Sequence, residues 1–244
     1  MQLIPKGCQC CIEGKKRQVH LTYSCTRHCG FCPIPAEKFG RDVVEYENCE
    51  YPARNFERAI EMACGDPQAQ GLALSGGEPT LVSERLILAI RIAKRLRGAS
   101  FHVHAYTNGA FLFNDLIVAL EEAGLDELRV NSLNVNVFSR LRAARFDVIC
   151  EVPCIPREPY IQALIRLGEQ CAALQINGIT LNEFEVTREN LDFVRRLGNL
   201  AITNHRLPES AVFAERIRAA IGSRVPLFFC TSEIAEQIRI ARNR

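Results

Sequence analysis

Twelve cysteines in a chain of 244 residues are the first feature with chemical content, and three of them, Cys25, Cys29 and Cys32, fall in the segment LTYSCTRHCGFCP. The C-x3-C-x2-C spacing follows directly on an apolar, strand-like run. Such a loop can wrap one corner of a cubane iron–sulfur cluster, with Gly30 permitting a close backbone turn. Three thiolates leave one iron of a four-iron cluster without a protein ligand, which makes the cluster a reagent as well as an electron carrier. A structural zinc knuckle is the competing reading, and it wants a fourth ligand, for which His28 is available.

A second motif sharpens the first. LALSGGEPTL sets Gly76, Gly77, Glu78 and Pro79 at the end of the next apolar strand, the edge at which open α/β sheets bind ligands. Two adjacent glycines leave backbone carbonyls and amides approachable, and a carboxylate beside them suits an ammonium group. Taken alone, GGEP reads as a turn before a helix. One strand downstream of the cysteine loop it becomes more specific.

Positioning these motifs falls to short apolar runs that alternate with helical patterns. Strands are expected at 19–23, 71–75, 101–107, 127–133, 148–152 and 176–182. Helices are expected at 55–64, 83–97, 115–123, 160–174 and 189–197, while the segment after Leu133 is ambiguous. The clearest is 83–97, with Ser83 as N-cap, basic residues late and Gly98 just past its end. Six alternating units imply a parallel sheet, and periodicity does not separate a flat doubly wound sheet from a curled barrel. A helix at 210–221, an apolar run at 225–229 and a closing helix from about Ser232 read as an appendage to the same domain.

With 48% apolar residues the chain can build one sizeable core. A net charge of +2 falls well short of the basic balance that announces a nucleic-acid binder. No run has signal-peptide or membrane-spanning character, so a soluble, cytoplasmic protein with no membrane partner is expected. In that reducing compartment clustered cysteines point to metal or thiol chemistry, whereas scattered ones such as Cys64 and Cys171 read as small buried apolar residues.

On the cysteine loop and the GGEP strand end the chain resembles the radical S-adenosylmethionine superfamily. The resemblance implies an α/β fold, a partial (β/α)6 TIM-like barrel at 17–200, with a Cys-rich extension at 1–16 and another at 201–244 packed on the same domain. It implies a 4Fe-4S cluster on Cys25, Cys29 and Cys32, with S-adenosylmethionine chelating the open iron and Gly76, Gly77, Glu78 and Pro79 around its amino group. Phe31 matches an aromatic position beside the adenine. Thr107, Asn108 and Gly109 in HAYTNG resemble a strand end near the cofactor, and Arg129 and Asn131 lie on the strand whose polar groups face the ribose and carboxylate. For these the alternative is an ordinary turn and a solvated strand. The implied activity is reductive cleavage of S-adenosylmethionine to a 5′-deoxyadenosyl radical that abstracts hydrogen, fed by an electron donor of ferredoxin or flavodoxin type.

A narrower likeness is to the archaeal group related to the pyruvate formate-lyase activating enzyme. It rests on G-C-x-x-C-x-x-G-x-K at 7–16, CEVPCIP at 150–156, LNEFE at 181–185, LPES at 207–210 and CTS at 230–232. The substrate is then a protein or peptide; alternatives are a nucleotide or small metabolite, with phosphate contacts from Arg91, Lys94, Arg95, Arg97, Arg140, Arg142 and Arg145, and a non-catalytic iron–sulfur carrier or redox sensor. Those arginines and lysine read more simply as solvated helix faces. Glu151, Asn182 and Glu183, near the ends of the fifth and sixth strands, are expected on the substrate side, or else as caps and loop carboxylates. A second metal site, zinc or an auxiliary iron–sulfur cluster, is expected from Cys8, Cys11 and Cys230 with Cys10 or His205 as fourth ligand.

Overall fold

The computed structural model describes residues 4–198 and 200–242. In chain order the elements are α1 (Lys6–Ile12), β1 (Lys16–Thr22), β2 (Val43–Tyr46), β3 (Cys49–Pro52), α2 (Phe56–Gly65), β4 (Gly71–Gly76), α3 (Ser83–Arg97), β5 (His102–Thr107), α4 (Asn114–Ala123) and β6 (Glu127–Val130). They continue with α5 (Val135–Arg140), β7 (Asp147–Pro153), α6 (Glu158–Leu174), β8 (Gly178–Asn182), α7 (Leu191–Leu197), α8 (Glu209–Ile221), β9 (Leu227–Cys230) and α9 (Ser232–Arg242). Among the described residues no helix is long and apolar enough to cross a membrane.

One sheet carries all nine strands in the order β3-β2-β1-β4-β5-β6-β7-β8-β9. From β1 through β4 to β9 neighbouring strands run parallel, whereas β1, β2 and β3 pair antiparallel. The sheet is open, so the barrel is partial. The six expected parallel strands are β1 and β4 to β8, and the ambiguous segment after Leu133 is the short helix α5.

Three differences from expectation have local causes. The apolar run at 225–229 is no appendage: β9 pairs with β8 from Ile179–Leu227 to Asn182–Cys230 and extends the sheet. The β2–β3 hairpin, absent from the expected elements, turns through Glu47 and Asn48, both with positive φ (49° and 62°), which matches a two-residue turn between twisted strands. Ser83 is the first residue of α3 and Val82 its N-cap, because a 3-10 turn at Pro79–Val82 leads into the helix.

Strand alternation gives the sheet two different faces. Toward the helices it presents Leu21, Leu74, Val103, Leu128, Val148 and Ile179, all buried in the main core. Toward the inside of the curl it presents polar groups, among them Lys16, His102, Glu127, Arg129 and Glu151, each at most 9% exposed. These form a chain of contacts. Lys16 Nζ lies 2.7 Å from His102 Nδ1, and His102 Nε2 lies 3.5 Å from Glu127 Oε2. Arg129 donates Nε to Glu127 Oε1 at 2.6 Å and Nη1 to Glu151, and Asn182 Nδ2 donates to Glu151 Oε1 at 3.1 Å.

Helix α1 closes the end of this interior where the strands begin. Gly7 N–H donates to Glu127 Oε2 at 3.1 Å, and Arg129 Nη2 donates to Cys8 Sγ at 3.2 Å. Only glycine fits at position 7, since a Cβ there would lie 2.6 Å from both Arg129 Nη2 and His104 Nδ1. Burial pulls Lys16 down to about 8.

Burial alone would raise the Glu127 carboxyl, but its hydrogen bond with His102, the Arg129 charge and the Gly7 N–H outweigh that and hold it at about 2, below the ordinary 4.5. A depressed carboxyl contributes stability that is complete above its unfolded pKa and is lost as pH falls toward the folded value. Glu127→Gln should therefore destabilise the fold by about 3–5 kcal/mol at neutral pH. It should also flatten the loss of stability expected of the native chain between pH 4.5 and 2, read from urea unfolding midpoints. An equally steep loss in the variant would show that this carboxylate is not the group responsible.

Candidate functional site

The cysteine loop leaves β1 at Thr22 and is tied off at its base. Tyr23 and Arg41 meet through Tyr23 N–H to Arg41 O at 3.0 Å, and Gly40 N–H returns to Tyr23 O at 3.0 Å. Arg85 of α3 braces the same point, donating Nη1 to Leu21 O at 2.6 Å and to Asp42 Oδ1 at 2.7 Å. Inside the loop Cys32 N–H closes a turn on Cys29 O at 2.9 Å, and Arg27 N–H reaches Cys25 Sγ at 3.4 Å. Gly30 is required for space more than for backbone freedom: a Cβ there would stand 2.6 Å from the ring of Phe193.

Cys25, Cys29 and Cys32 all line one cavity of about 620 Å3, with Gly76, Gly77, Thr107, Asn108, Phe31 and Asn131. Burial pushes the Cys29 and Cys32 thiols upward, a cost that metal ligation removes by taking the thiolate. Among the described residues no three His, Cys, Asp or Glu side chains gather around a single ion. A cubane does not ask for that, since each thiolate takes its own iron and the sulfurs stand further apart. The donor set and the cavity beside it fit a four-iron cluster with one open iron.

The GGEP strand end is packed against the backbone that enters this loop. Gly77 N–H donates to Thr22 O at 2.7 Å and Glu78 N–H to Ser24 O at 2.8 Å. Gly76 has a φ of 128°, and a Cβ on it would collide with the Thr22 carbonyl. Glu78 departs from the expectation of a carboxylate free for an ammonium group. It is fully buried, and its oxygens accept from Thr80 N at 3.1 Å, Thr80 Oγ1 at 2.5 Å, Thr107 Oγ1 at 2.7 Å and Asn108 N at 2.6 Å. It splices the end of β4 to the end of β5. Pro79 opens the 3-10 turn that Glu78 caps. Asn108 Nδ2 then donates to Cys25 Sγ at 3.8 Å, and Gly109 N–H to Thr107 Oγ1 at 3.0 Å, so all three motifs form one connected unit.

Next to this cavity lies a second of about 630 Å3, and the two share Phe31, Pro33, Asn131 and Asn182. Glu183, Glu185, His205, Cys230 and Ser232 complete much of its wall. Glu183 Oε2 accepts from Ser232 N and Oγ, each at 2.7 Å, which makes it the cap of α9 as well as a wall residue. Glu151 and Arg129 do not line either cavity; they pair with each other inside the curl, below Asn182 and Asn131. Polar side chains that sequence reasoning missed, Gln18, His20, Ser75 and Tyr106, line the cysteine-bearing cavity. Their signal was the polar alternation of β1 and β5, whereas Ser75 is a single polar residue in the otherwise apolar β4.

Among the described residues the ligands expected for a second metal do not gather round a single ion, although Cys8 and Cys11 lie near enough to Cys230 to add to the effect of burial in raising its thiol. Cys8 turns its thiol to Arg129 and to Thr180 Oγ1, 3.9 Å away. Cys10 lines a separate cavity of about 290 Å3 with Lys6 and His102, whereas Cys230 and His205 line the 630 Å3 one. Of the basic residues considered for phosphate, Arg97 caps the carbonyls of Cys64, Asp66 and Ala69, Lys94 pairs with Asp126 at 2.6 Å, and Arg145 with Glu121 at 2.9 Å.

The sequence profile of the Radical SAM superfamily matches residues 19–169, more than half of the chain. A protein of Methanocaldococcus jannaschii, provisionally named a glycyl-radical enzyme activating enzyme, is 27% identical over 215 residues, covering 80% of this chain and 54% of its own. Among solved structures, Streptococcus suis SuiB bound to precursor peptide SuiA superposes with a TM-score of 0.65 at 14% identity, over 89% of this chain and 48% of that one. SuiB bound to S-adenosylmethionine gives 0.60 at 16% identity, over 89% and 50%. The chain thus spans about half the length of these relatives.

Because Gly77 sits against the Ser24 carbonyl, Gly77→Val should push the GGEP end away from the cysteine loop. The expected result is about tenfold weaker S-adenosylmethionine binding by calorimetry on the reconstituted protein. Glu78→Gln replaces an acceptor with a donor facing donors and should lower stability by about 1–3 kcal/mol. Unchanged affinity and unchanged unfolding midpoints would show that the two motifs are not mechanically joined.

Proposed function

The chain belongs to the radical S-adenosylmethionine superfamily and is an enzyme of that class, and we propose that it abstracts hydrogen from a protein or peptide segment beside a 4Fe-4S cluster held by Cys25, Cys29 and Cys32. The observation that carries the proposal is the continuity of the two cavities through Phe31, Pro33, Asn131 and Asn182. Together they run from the cysteine loop to the β9–α9 junction, a shape that suits an extended segment; a small metabolite is better served by one enclosed pocket. The name of the archaeal relative and the peptide bound by SuiB support the same class of substrate.

Cluster and S-adenosylmethionine, bound together, supply one-electron chemistry that ends in hydrogen-atom abstraction, with the electron coming from a ferredoxin- or flavodoxin-type donor. The chain's own residues position and shield. The thiolates of Cys25, Cys29 and Cys32 would hold three irons and leave the fourth without a protein ligand. The backbone of Gly76 and Gly77, held by Thr22 and Ser24, meets the ammonium of S-adenosylmethionine, while Glu78 acts at one remove by fixing Thr107 and Asn108. Tyr106, Phe31 and Asn131 wall the reaction space and exclude water. A nucleotide substrate draws less support, because no lysine or arginine lines the second cavity, and of the two cations lining the first, Arg27 and Lys38, the latter is paired with Glu45.

Replacing Cys25, Cys29 and Cys32 together with alanine should abolish 5′-deoxyadenosine formation by the reduced, reconstituted protein and remove its cluster iron. Persistence of that product would overturn the ligand assignment. For the substrate, a dialysed protein fraction of host cells should stimulate 5′-deoxyadenosine formation and the small-molecule filtrate should not. The reverse pattern would replace the peptide proposal with a metabolite.

A further inference from the structure

The segments behind the narrower likeness, CEVPCIP, LNEFE, LPES and CTS, converge on the second cavity or directly beneath it. Ser210 of LPES ties two of them together, donating Oγ to Cys154 O at 2.9 Å and accepting from Phe184 N at 3.4 Å. What matters for recognition is which atoms this wall leaves for a ligand.

Asn182 is oriented by the buried network. The Glu151 carboxylate, already paired with Arg129, can only accept, so the amide of Asn182 gives it Nδ2 and turns Oδ1 toward the cavity. Glu183 spends Oε2 on Ser232, with Arg206 Nη1 at 3.8 Å, while Oε1, which accepts no hydrogen bond among the described residues, stays accessible. Glu185, exposed on the same wall, makes no ion pair among the described residues. No lysine or arginine lines the cavity; Arg206 behind Glu183 is itself paired with Glu233. Asn204 and His205, both in left-handed backbone (φ 50° and 60°), lie at the same wall, the kind of held strain found at binding sites.

A wall of acceptors on which Glu183 Oε1 stays accessible and the Glu185 carboxylate makes no ion pair among the described residues suits a donor-rich cation. We infer that the second cavity binds an ammonium or guanidinium group of the substrate, between Asn182 Oδ1, Glu183 Oε1 and Glu185. This rests on the assignment of that cavity to substrate in the proposed function and adds the chemistry by which it selects.

The test uses reconstituted holoenzyme saturated with S-adenosylmethionine, its cluster left oxidised, and calorimetric titration with peptides Gly-Ser-Gly-X-Gly-Ser-Gly in which X is lysine, arginine, norleucine or phosphoserine, and with free agmatine. Lysine or arginine peptides should bind about tenfold tighter than the norleucine peptide, the size of one charge-assisted contact. That preference should fall in Glu183→Gln and in Glu185→Gln, and Glu185→Lys should reverse it toward phosphoserine. Glu185 is exposed and caps nothing, so its variants report on recognition even where Glu183→Gln loosens α9. Agmatine binding that depends on Glu185, without any peptide binding, keeps the cation inference and removes the peptide proposal. Equal or tighter binding of norleucine or phosphoserine, a preference unmoved by both glutamate variants, or no binding by any probe overturns the inference.

Discussion

A sheet curled on itself must do something with its inner face, and in this chain that face is charged. Apolar residues at alternate positions turn outward to the helices, which leaves Lys16, His102, Glu127, Arg129 and Glu151 enclosed where water does not reach them. Buried charges are tolerable only when paired and hydrogen-bonded, because desolvation otherwise exceeds the attraction. Each group here leans on the next, from Lys16 at the start of β1 to Asn182 at the end of β8. That single requirement fixes α1 across one end of the interior, through Gly7 and Cys8, and fixes the amide of Asn182 at the other. Part of the G-C-x-x-C-x-x-G-x-K segment thereby acquires a physical account: its first glycine gives room to Arg129, its first cysteine accepts from it, and its lysine enters the network.

A similar economy governs the reactive end of the sheet. Four donors, two from Thr80 in the turn after β4 and two from Thr107 and Asn108 at the end of β5, converge on the single carboxylate of Glu78, so the GGEP end and the TNG end move as one body. Asn108 extends that body to Cys25. Any ligand at Gly76 and Gly77 is therefore met by backbone whose position is set by Thr22 and Ser24, and the cysteine loop cannot shift without moving the ligand platform. Preorganisation of this kind is what chemistry run by a bound cofactor asks of its protein.

Much of this was legible in residue types and spacing. The strands β4 to β8 and helix α3 follow from apolar runs and end signals, and the three cysteines with GGEP and TNG mark one edge of the sheet because strand ends are where loops must gather. The roles within the site were less legible. Nothing local in DELRVN distinguishes an arginine that reaches a ligand from one enclosed between Glu127 and Glu151; that depends on register across β6 and β7. Glu183 likewise reads as a substrate carboxylate or a cap, and it is a wall residue and a cap at once because Ser232 arrives from a strand that the apolar run at 225–229 did not announce as part of the sheet.

That last strand changes how the mouth is built. Were 225–229 an appendage, the sheet would end at β8, and Asn182 would stand on an edge open to solvent. Pairing of β9 with β8 instead carries Cys230 alongside Asn182, and the chain then turns at once into α9, whose first residues are fastened by Glu183. The second cavity exists because of this closure: its wall is drawn from β8 and its following loop on one side and from the β9–α9 junction on the other. A cavity assembled from segments so far apart in sequence, and joined through Glu183 to the end of a helix, gives a ligand bound there a direct hold on α9. A cation on Glu183 Oε1 would withdraw charge from the oxygen that caps the helix, so on the inference above recognition and the seating of α9 would share one carboxylate and could not be tuned independently.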